Sequence, residues 1–316
     1  EHNHDAARFG RFNLMRITIM KIWGAGISGL IAASVFPQAE VYEASAREKM
    51  SGHKALLRFR STAVADAVGI DFRKVTVHKG LWSEGRFVQP SILHANRYSQ
   101  KVVGRLADRS VWNLNAVERY IAPEDFIDHL IDRAAGRIRW GQAINPILHT
   151  GHSGPIISTI PMNVLASMLR VASPEFNYAQ ITVKRYRVKG ADIFQSVYVS
   201  DPLTKCYRVS ITGDLLIAEW IGDETDTFNV GAPFGLTRFD LEELETTKQR
   251  YGKISPIEDR WRRNFILNLS NQHNIFSLGR FGTWRNILLD DVVKDTAVIK
   301  RLINDDAYGR SRHNAK

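Results

Sequence analysis

The stretch Lys21–Ala44, KIWGAGISGLIAASVFPQAEVYEA, limits what this chain can fold into more than any other. A short apolar strand, Ile19–Trp23, runs into Gly24-x-Gly26-x-x-Gly29. A helix is predicted from about Ser28 to Phe36, with Ile27 and Ser28 at its mouth. A second strand, Ala39–Glu43, ends in an acid nineteen residues after the first glycine. Each part has a physical task. Gly24 permits the tight turn, Gly26 lets a pyrophosphate approach the backbone, and Gly29 lets helix and strand pack closely. The helix start offers free N–H groups and the positive end of its dipole. Glu43 is placed to accept hydrogen bonds from a ribose hydroxyl pair. A lone glycine motif is weak, but strand, helix and acid at the expected spacing make a dinucleotide-binding α/β unit the strong reading.

The motif does not choose between NAD and FAD. Its place near the start of the chain, with a second signal far downstream, favours FAD. That signal is NIFSLGRFGTWRNILLDDVVKD, Asn274–Asp295: a strand, a Gly279-Arg280 turn, then a helix from about Leu288 to Ile303.

The 316 residues suffice for one large or two modest domains, and 44% hydrophobic with 24% charged content fits a globular chain. The longest apolar run, near Gly29–Phe36, is too short to span a bilayer. No apolar secretory core opens the chain, and Met15 and Met20 are both natural starts, so residues 1–14 are expected to be a leader or flexible arm. A single cysteine, Cys206, excludes an internal disulfide and any cysteine-rich metal site, and fits a reducing, cytoplasmic setting. No metal site is expected. The net charge of +10 and pI near 9.7 attract phosphates or nucleic acid. The clusters KRYRVK (Lys184–Lys189), RWRR (Arg260–Arg263), FRK (Phe72–Lys74) and RFR (Arg58–Arg60) interleave bases with aromatics. That pattern suits phosphate contacts with base stacking, and equally a strand with one solvated face.

Taken together, these segments resemble UDP-galactopyranose mutase and its relatives in the amine-oxidase-like class of FAD proteins. The resemblance runs in order from about Lys21 to Asp295. Beyond GAGISGL with Glu43, it rests on SGHKALLRF, FVQPSILHANRYSQKVVG, ISTIP (Ile157–Pro161), DPLTKCYRVS, RYGKISPI and LGRFGTWRNILLDD. It implies an FAD cofactor, with Gly52 and His53 near the isoalloxazine and Arg208 as a substrate-side arginine. It also implies Arg280 beside the flavin, Gly279 in the closing turn and Asp290 near the ribityl chain. Tyr207, Trp284 and Arg285 are candidates to face the substrate. About fifty residues separate Gly104 from Ile157, too few for that family's whole uracil-holding helical bundle, so a shortened substrate domain is expected.

The fold class expected is α/β (α+β overall): a Rossmann-like FAD-binding domain with a second, antiparallel-sheet substrate domain, discontinuous in sequence. The first would combine residues 15–60, 130–170 and 271–305, the second 61–129 and 171–270, with 306–316 a C-terminal tail. Predicted second-domain strands are Val75–Lys79, Arg86–Val88, Ile181–Val188, Ile193–Ser200, Cys206–Thr212 and Leu215–Trp220, with a hairpin at Thr212–Asp214. Helices are expected at Pro123–Ala135, Arg238–Gly252 and Pro256–Gln272, and a strand at Arg137–Trp140.

Three functions follow. The first is an FAD-dependent oxidoreductase-type enzyme on an amine- or sugar-bearing, phosphate-containing substrate, a modified base in nucleic acid included. Its catalytic residues would be His53 and Arg208. The second is a mutase-like sugar-nucleotide isomerase using reduced FAD. The third is a non-catalytic flavin and nucleic-acid binding protein, with DNA on the basic surface. None of the three involves a membrane.

Overall fold

The computed structural model describes residues 19–49, 57–108, 111–145 and 154–313. The chain opens with β1 (Lys21–Trp23), α1 (Ile27–Val35) and β2 (Glu40–Tyr42). Then come β3 (Arg58–Phe59), α2 (Ala63–Val68), β4 (Arg73–Ser83), β5 (Arg86–Phe87) and α3 (Ile92–Val103). Next are β6 (Val117–Ile121), α4 (Phe126–Ala134), β7 (Ile138–Arg139), β8 (Ile156–Ser158) and α5 (Met162–Met168). A run of strands follows: β9 (Tyr178–Val188), β10 (Ile193–Val199), β11 (Cys206–Gly213), β12 (Leu215–Ile221) and β13 (Leu241–Ile254). The chain closes with α6 (Asp259–His273), β14 (Ile275–Ser277), α7 (Gly279–Gly282) and α8 (Leu289–His313).

Five short strands form an all-parallel sheet in the order β14-β8-β1-β2-β7. Its strands are apolar on both sides, as a sheet covered on both faces requires. Ile22, Val41, Ile157 and Phe276 meet α1, α2, α4 and α8 on one face. Trp23, Ile156 and Ile275 meet α5 and α6 on the other. Helices α2, α4 and α6 therefore pack on the parallel sheet, although the stretches 61–129 and 171–270 were expected to serve the second domain. Their apolar sides, such as Phe126 with Leu130 and Phe265 with Leu269, find their burial there. Helix α8 runs to His313, through much of the expected tail.

The second sheet runs β13-β9-β12-β11-β10-β4-β6-β3, with β5 beside β4. Pairing is antiparallel except between β10 and β4. It curls. The Arg58 guanidinium on β3 reaches Ser196 on β10 and Thr212 on β11. In a flat sheet β3 and β10 would be three strand spacings apart, about 14 Å, beyond a side chain's reach. The convex side packs Val197, Val199, Ile211, Leu216 and Trp220 against Phe228, Val230 and Phe234. Part of the concave side is covered by α3 through Tyr98 and Val102.

The segment expected as a helix over Arg238–Gly252 is instead the 14-residue edge strand β13. Its acids are complementary to the bases of β9: Glu243 pairs with Lys184 at 3.5 Å and Glu245 with Arg185 at 2.5 Å. Opposite charges across adjacent strands favour the pairing, and a local reading of helix propensity cannot include a partner strand sixty residues away. The same contacts account for KRYRVK, since Arg187 also pairs with Asp214 and Glu124. Arg262 and Arg263 pair with Asp259, Arg73 with Asp192 and Lys74 with Glu118. Replacing Gly252 with alanine tests this assignment. A Cβ there would lie 2.4 Å from Ile181 Cγ1 on β9, and the overpacking is expected to cost about 1–3 kcal/mol in urea denaturation.

Candidate functional site

The glycine turn lies between β1 and α1. Gly24 takes φ +97°, which a side chain would disfavour, and its N–H donates to Tyr42 O on β2 at 2.8 Å. A Cβ on Gly29 would stand 1.9 Å from the Gly24 carbonyl oxygen, so only glycine admits this approach of helix to turn. A Cβ on Gly26 would meet nothing within 4 Å, so the protein leaves open space at this point of the loop. Gly26 is the N-cap of α1, no side chain caps the helix, and no acid occupies its first turn. Ile27 packs partly buried against the core behind it, and Ser28 stands at the helix mouth. Glu43, just beyond β2, turns its carboxylate back to the loop: Oε2 accepts the Ala25 N–H at 2.8 Å and Oε1 the Ser45 N–H at 2.9 Å. Thr159, beyond β8, closes the turn from the other side through its hydroxyl to Trp23 O at 2.9 Å. Nothing in ISTIP marked it in advance.

The far end of the chain arrives at the same place. Gly279 opens α7 with φ +83°, and a Cβ on it would lie 2.7 Å from Ser28 Oγ. Arg280 donates to Gly252 O at 3.4 Å, and its guanidinium lies 5.7 Å from the centre of the Phe281 ring. Asp290, 5% exposed in the first turn of α8, binds within the protein: it accepts the N–H groups of Arg60 (3.1 Å) and Ser61 (2.9 Å) and the Ser61 hydroxyl (2.8 Å). It thus ties the segment after β3 to the parallel-sheet unit.

Arg208 stands at the bulge of β11, on the concave side of the second sheet. Its Nε donates to Glu219 of β12, whose other carboxylate oxygen accepts the Tyr207 hydroxyl at 2.9 Å. Glu219 is 2% exposed and Tyr207 is fully buried, whereas the Arg208 side chain keeps 27% exposure. Burial would push the Glu219 carboxyl up, but the Arg208 guanidinium, the Lys253 ammonium and the Tyr207 hydroxyl together outweigh it and hold the group below its ordinary value. Burial next to that carboxylate raises the Tyr207 phenol well above its usual range. Among the described residues, no hydrogen bond is formed by either terminal nitrogen of Arg208. Sequence reasoning missed Glu219 altogether; an acid inside the apolar strand LLIAEWI was the available signal.

The remaining candidates lie elsewhere. Trp284 is 2% exposed, packed against Phe176 and Tyr251, with its indole N–H on Ser255 O at 2.9 Å. Arg285 pairs with Asp295 and Thr283. Tyr207 is sealed beneath Arg208. These three side chains are therefore held by the protein, where a substrate-facing position was expected of them. Gly52 and His53 lie outside the described residues. Among the described residues no cluster could hold a metal ion, and no helix is long and apolar enough to cross a membrane.

No protein-family model and no characterised sequence matches the chain. Solved structures do. A reduced UDP-galactopyranose mutase aligns with TM-score 0.60 at 15% identity, over 91% of this chain and 94% of that one. A fatty acid isomerase from P. acnes that produces CLA aligns with TM-score 0.58 at 11% identity, over 90% and 98%. An oxidoreductase from Methanosarcina mazei aligns with TM-score 0.54 at 10% identity, over 89% and 99%. The glycine turn at the head of a parallel sheet, the closing motif docked on it and the curled second sheet are thus parts of one architecture: the chain has the fold of UDP-galactopyranose mutase and of structurally related proteins.

Proposed function

We propose that this chain is an FAD-dependent enzyme of the oxidoreductase type, acting on a phosphate-containing substrate that bears an amine or sugar. One observation carries the reading: the closing motif meets the glycine turn, Gly279 against Ser28, across an uncapped helix start and an open Gly26. Those features fit the adenine-dinucleotide half of the cofactor. The loop and the first N–H groups of α1 would take the pyrophosphate, and Glu43 would take the ribose hydroxyls. Arg280 would stand on the flavin side. Bound FAD supplies a two-electron acceptor, able to take hydride from a C–N or C–H bond.

The protein's own contribution is orientation. Arg208, held by Glu219, would bind an anionic group of the substrate, while α3 and the second sheet would exclude water from its far side. His53 would act beside the isoalloxazine. The positive charge of the chain favours a nucleic-acid-linked substrate, such as a modified base bearing an amine. The likeness to the mutase structure favours a second reading, a sugar-nucleotide isomerase using reduced FAD and the same residues.

The purified protein is expected to carry one flavin per chain, released by acid as FAD. Anaerobic mixing with amine-bearing modified nucleosides or DNA would bleach it in the first reading. Turnover of a sugar nucleotide only after dithionite reduction would support the second. A colourless protein that takes up no added FAD would overturn both.

A further inference from the structure

Most of the arginines and lysines picked out in the sequence find carboxylates when the chain folds. Several cations on the second sheet do not, and three of these lie on one face. Arg58, Lys79 and Arg119 form no ion pair with a carboxylate among the described residues. Strand register places them together. Lys79 pairs across β4 and β10 with Ser196, and Arg119 pairs across β6 and β4 with Val75. Leu81 pairs with Tyr198, which pairs in turn with Arg208. Directly paired residues share a sheet face, and residues two apart on a strand share it too. Lys79, Arg119, Ser196, Tyr198 and Arg208 therefore look into the same concave trough.

Arg58 enters that trough from the curled-over edge. Its Nε donates to Thr212 Oγ1 at 3.0 Å, Nη1 to Ser196 Oγ at 2.7 Å and Nη2 to both Gln195 O, at 2.9 Å, and Ile211 O, which leaves one N–H of Nη1 for a further acceptor. Every acceptor is neutral. A guanidinium taken out of water with hydrogen bonds but no counter-charge is costly, and three like charges on one wall add repulsion. Burial pushes the Arg58 guanidinium down to about 9, with smaller repulsion from Arg208 and Arg119, and partial burial lowers the Lys79 ammonium with Arg119 adding to it. None of the groups acting on Lys79 is a carboxylate. Arg208, on the same face, is already paired with Glu219.

The trough also adjoins the parallel-sheet unit. Two residues after Arg58, the Arg60 N–H is fixed to Asp290 at the start of α8. We propose that Arg58, Lys79 and Arg119 form a phosphate subsite on the concave face of the second sheet, taking a phosphate ester in addition to the group met by Arg208. A phosphate brings up to two negative charges and three acceptor oxygens, which suits a wall of fork-shaped and point donors better than one carboxylate would. Assigning this trough to the substrate rests on the flavoenzyme reading; the charge arrangement does not.

The test is calorimetric titration of the full chain with inorganic pyrophosphate and, separately, a short single-stranded oligonucleotide. Lys79→Gln and Arg119→Gln are compared with Lys189→Gln at the exposed β9–β10 turn. Arg58 is left intact, since its hydrogen bonds also hold β10 and β11. Saturable binding is expected, weakened about tenfold or more by each trough variant, as for loss of one charged hydrogen bond, and unchanged by Lys189→Gln. Tighter binding of the oligonucleotide would identify the phosphate as nucleic-acid backbone, and tighter pyrophosphate a free phosphate ester. No saturable binding of either probe, or equal weakening by all three substitutions, would overturn the subsite. Flavin content read on the same samples is independent: a colourless protein that binds pyrophosphate through Lys79 and Arg119 keeps the subsite and rejects the flavin.

Discussion

Replacing Glu219 with alanine is expected to destabilise the fold by about 3–5 kcal/mol, through loss of one partner of a buried ion pair. Glu219 is 2% exposed and receives both Arg208 and the Tyr207 hydroxyl. Without it, a guanidinium three-quarters buried and a phenol with no water to turn to are both stranded. The Lys253 ammonium, 4.2 Å from the centre of the Tyr207 ring, adds a further positive charge. The residual 27% exposure of Arg208 lets some water in, which places the effect at the lower end of that range. The double replacement Glu219→Leu with Arg208→Met should recover part of the loss, because it removes both charges rather than one while the Tyr207 hydroxyl stays without its acceptor. Urea denaturation measures this directly. A loss below about 1 kcal/mol for the single alanine would mean that the pair contributes no more than a surface one.

The same pair sets a pH dependence. The Glu219 carboxyl titrates below its ordinary value in the folded protein. Its contribution to stability is therefore present above the ordinary carboxylate range and is lost as pH falls through the lower, folded value. Glu219→Gln should flatten the acid limb of the stability curve and leave its alkaline side in place.

The second large effect concerns the glycine turn, where three alanine substitutions should behave in three ways. At Gly29 the new Cβ would sit 1.9 Å from a backbone oxygen, so helix and turn must separate. Both stability and flavin binding are expected to fall, the first by about 1–3 kcal/mol as for overpacking. At Gly279 the Cβ would press on Ser28, 2.7 Å from its hydroxyl oxygen, and the backbone holds φ +83°. The closing motif should lift from α1, weakening flavin retention about tenfold or more for a docking loss of 1.4 kcal/mol or above. At Gly26 the Cβ meets nothing in the protein, and φ −63° suits any residue. Stability should stay within about 0.5 kcal/mol, as for a surface change, while flavin binding drops because the methyl takes the space that a pyrophosphate needs. Retention of full flavin by Gly26→Ala would reject the assignment of that space to the cofactor.

Much of this architecture could be read locally. The Gly24–Gly29 turn, the acid at Glu43, the hairpin at Thr212–Asp214 and the strands β9 to β12 all follow from periodicity and turn chemistry within a dozen residues. The pairing of β11 with β12 came out as the hairpin turn suggests, whereas the pairing of β9 with β12 and of β10 with β11 and β4 is set by the tertiary structure. Edge strand β13 did not follow from the local pattern at all. Its leucines and acids at helical spacing satisfy a local pattern equally well, and the bases that draw it onto β9 are far away in the chain.

The candidate site divides in the same way. Gly24, Gly26, Gly29 and Glu43 act through backbone geometry and short-range spacing, and those properties are written into one stretch of sequence. Trp284, Arg285 and Tyr207 were chosen by their neighbours in the sequence, and folding placed each against a partner that consumes it. Glu219 and Arg58 acquire their meaning only from what surrounds them: one acid enclosed with an arginine and a tyrosine, one arginine enclosed with no acid at all. Turn conformation and strand alternation are decided by steric limits within a few residues, so the sequence alone determined the dinucleotide-type unit and most strands of the second sheet. The balance of a buried charge depends on groups brought together from distant strands, so only the tertiary structure decided which of the many cations are neutralised and which still face an open trough.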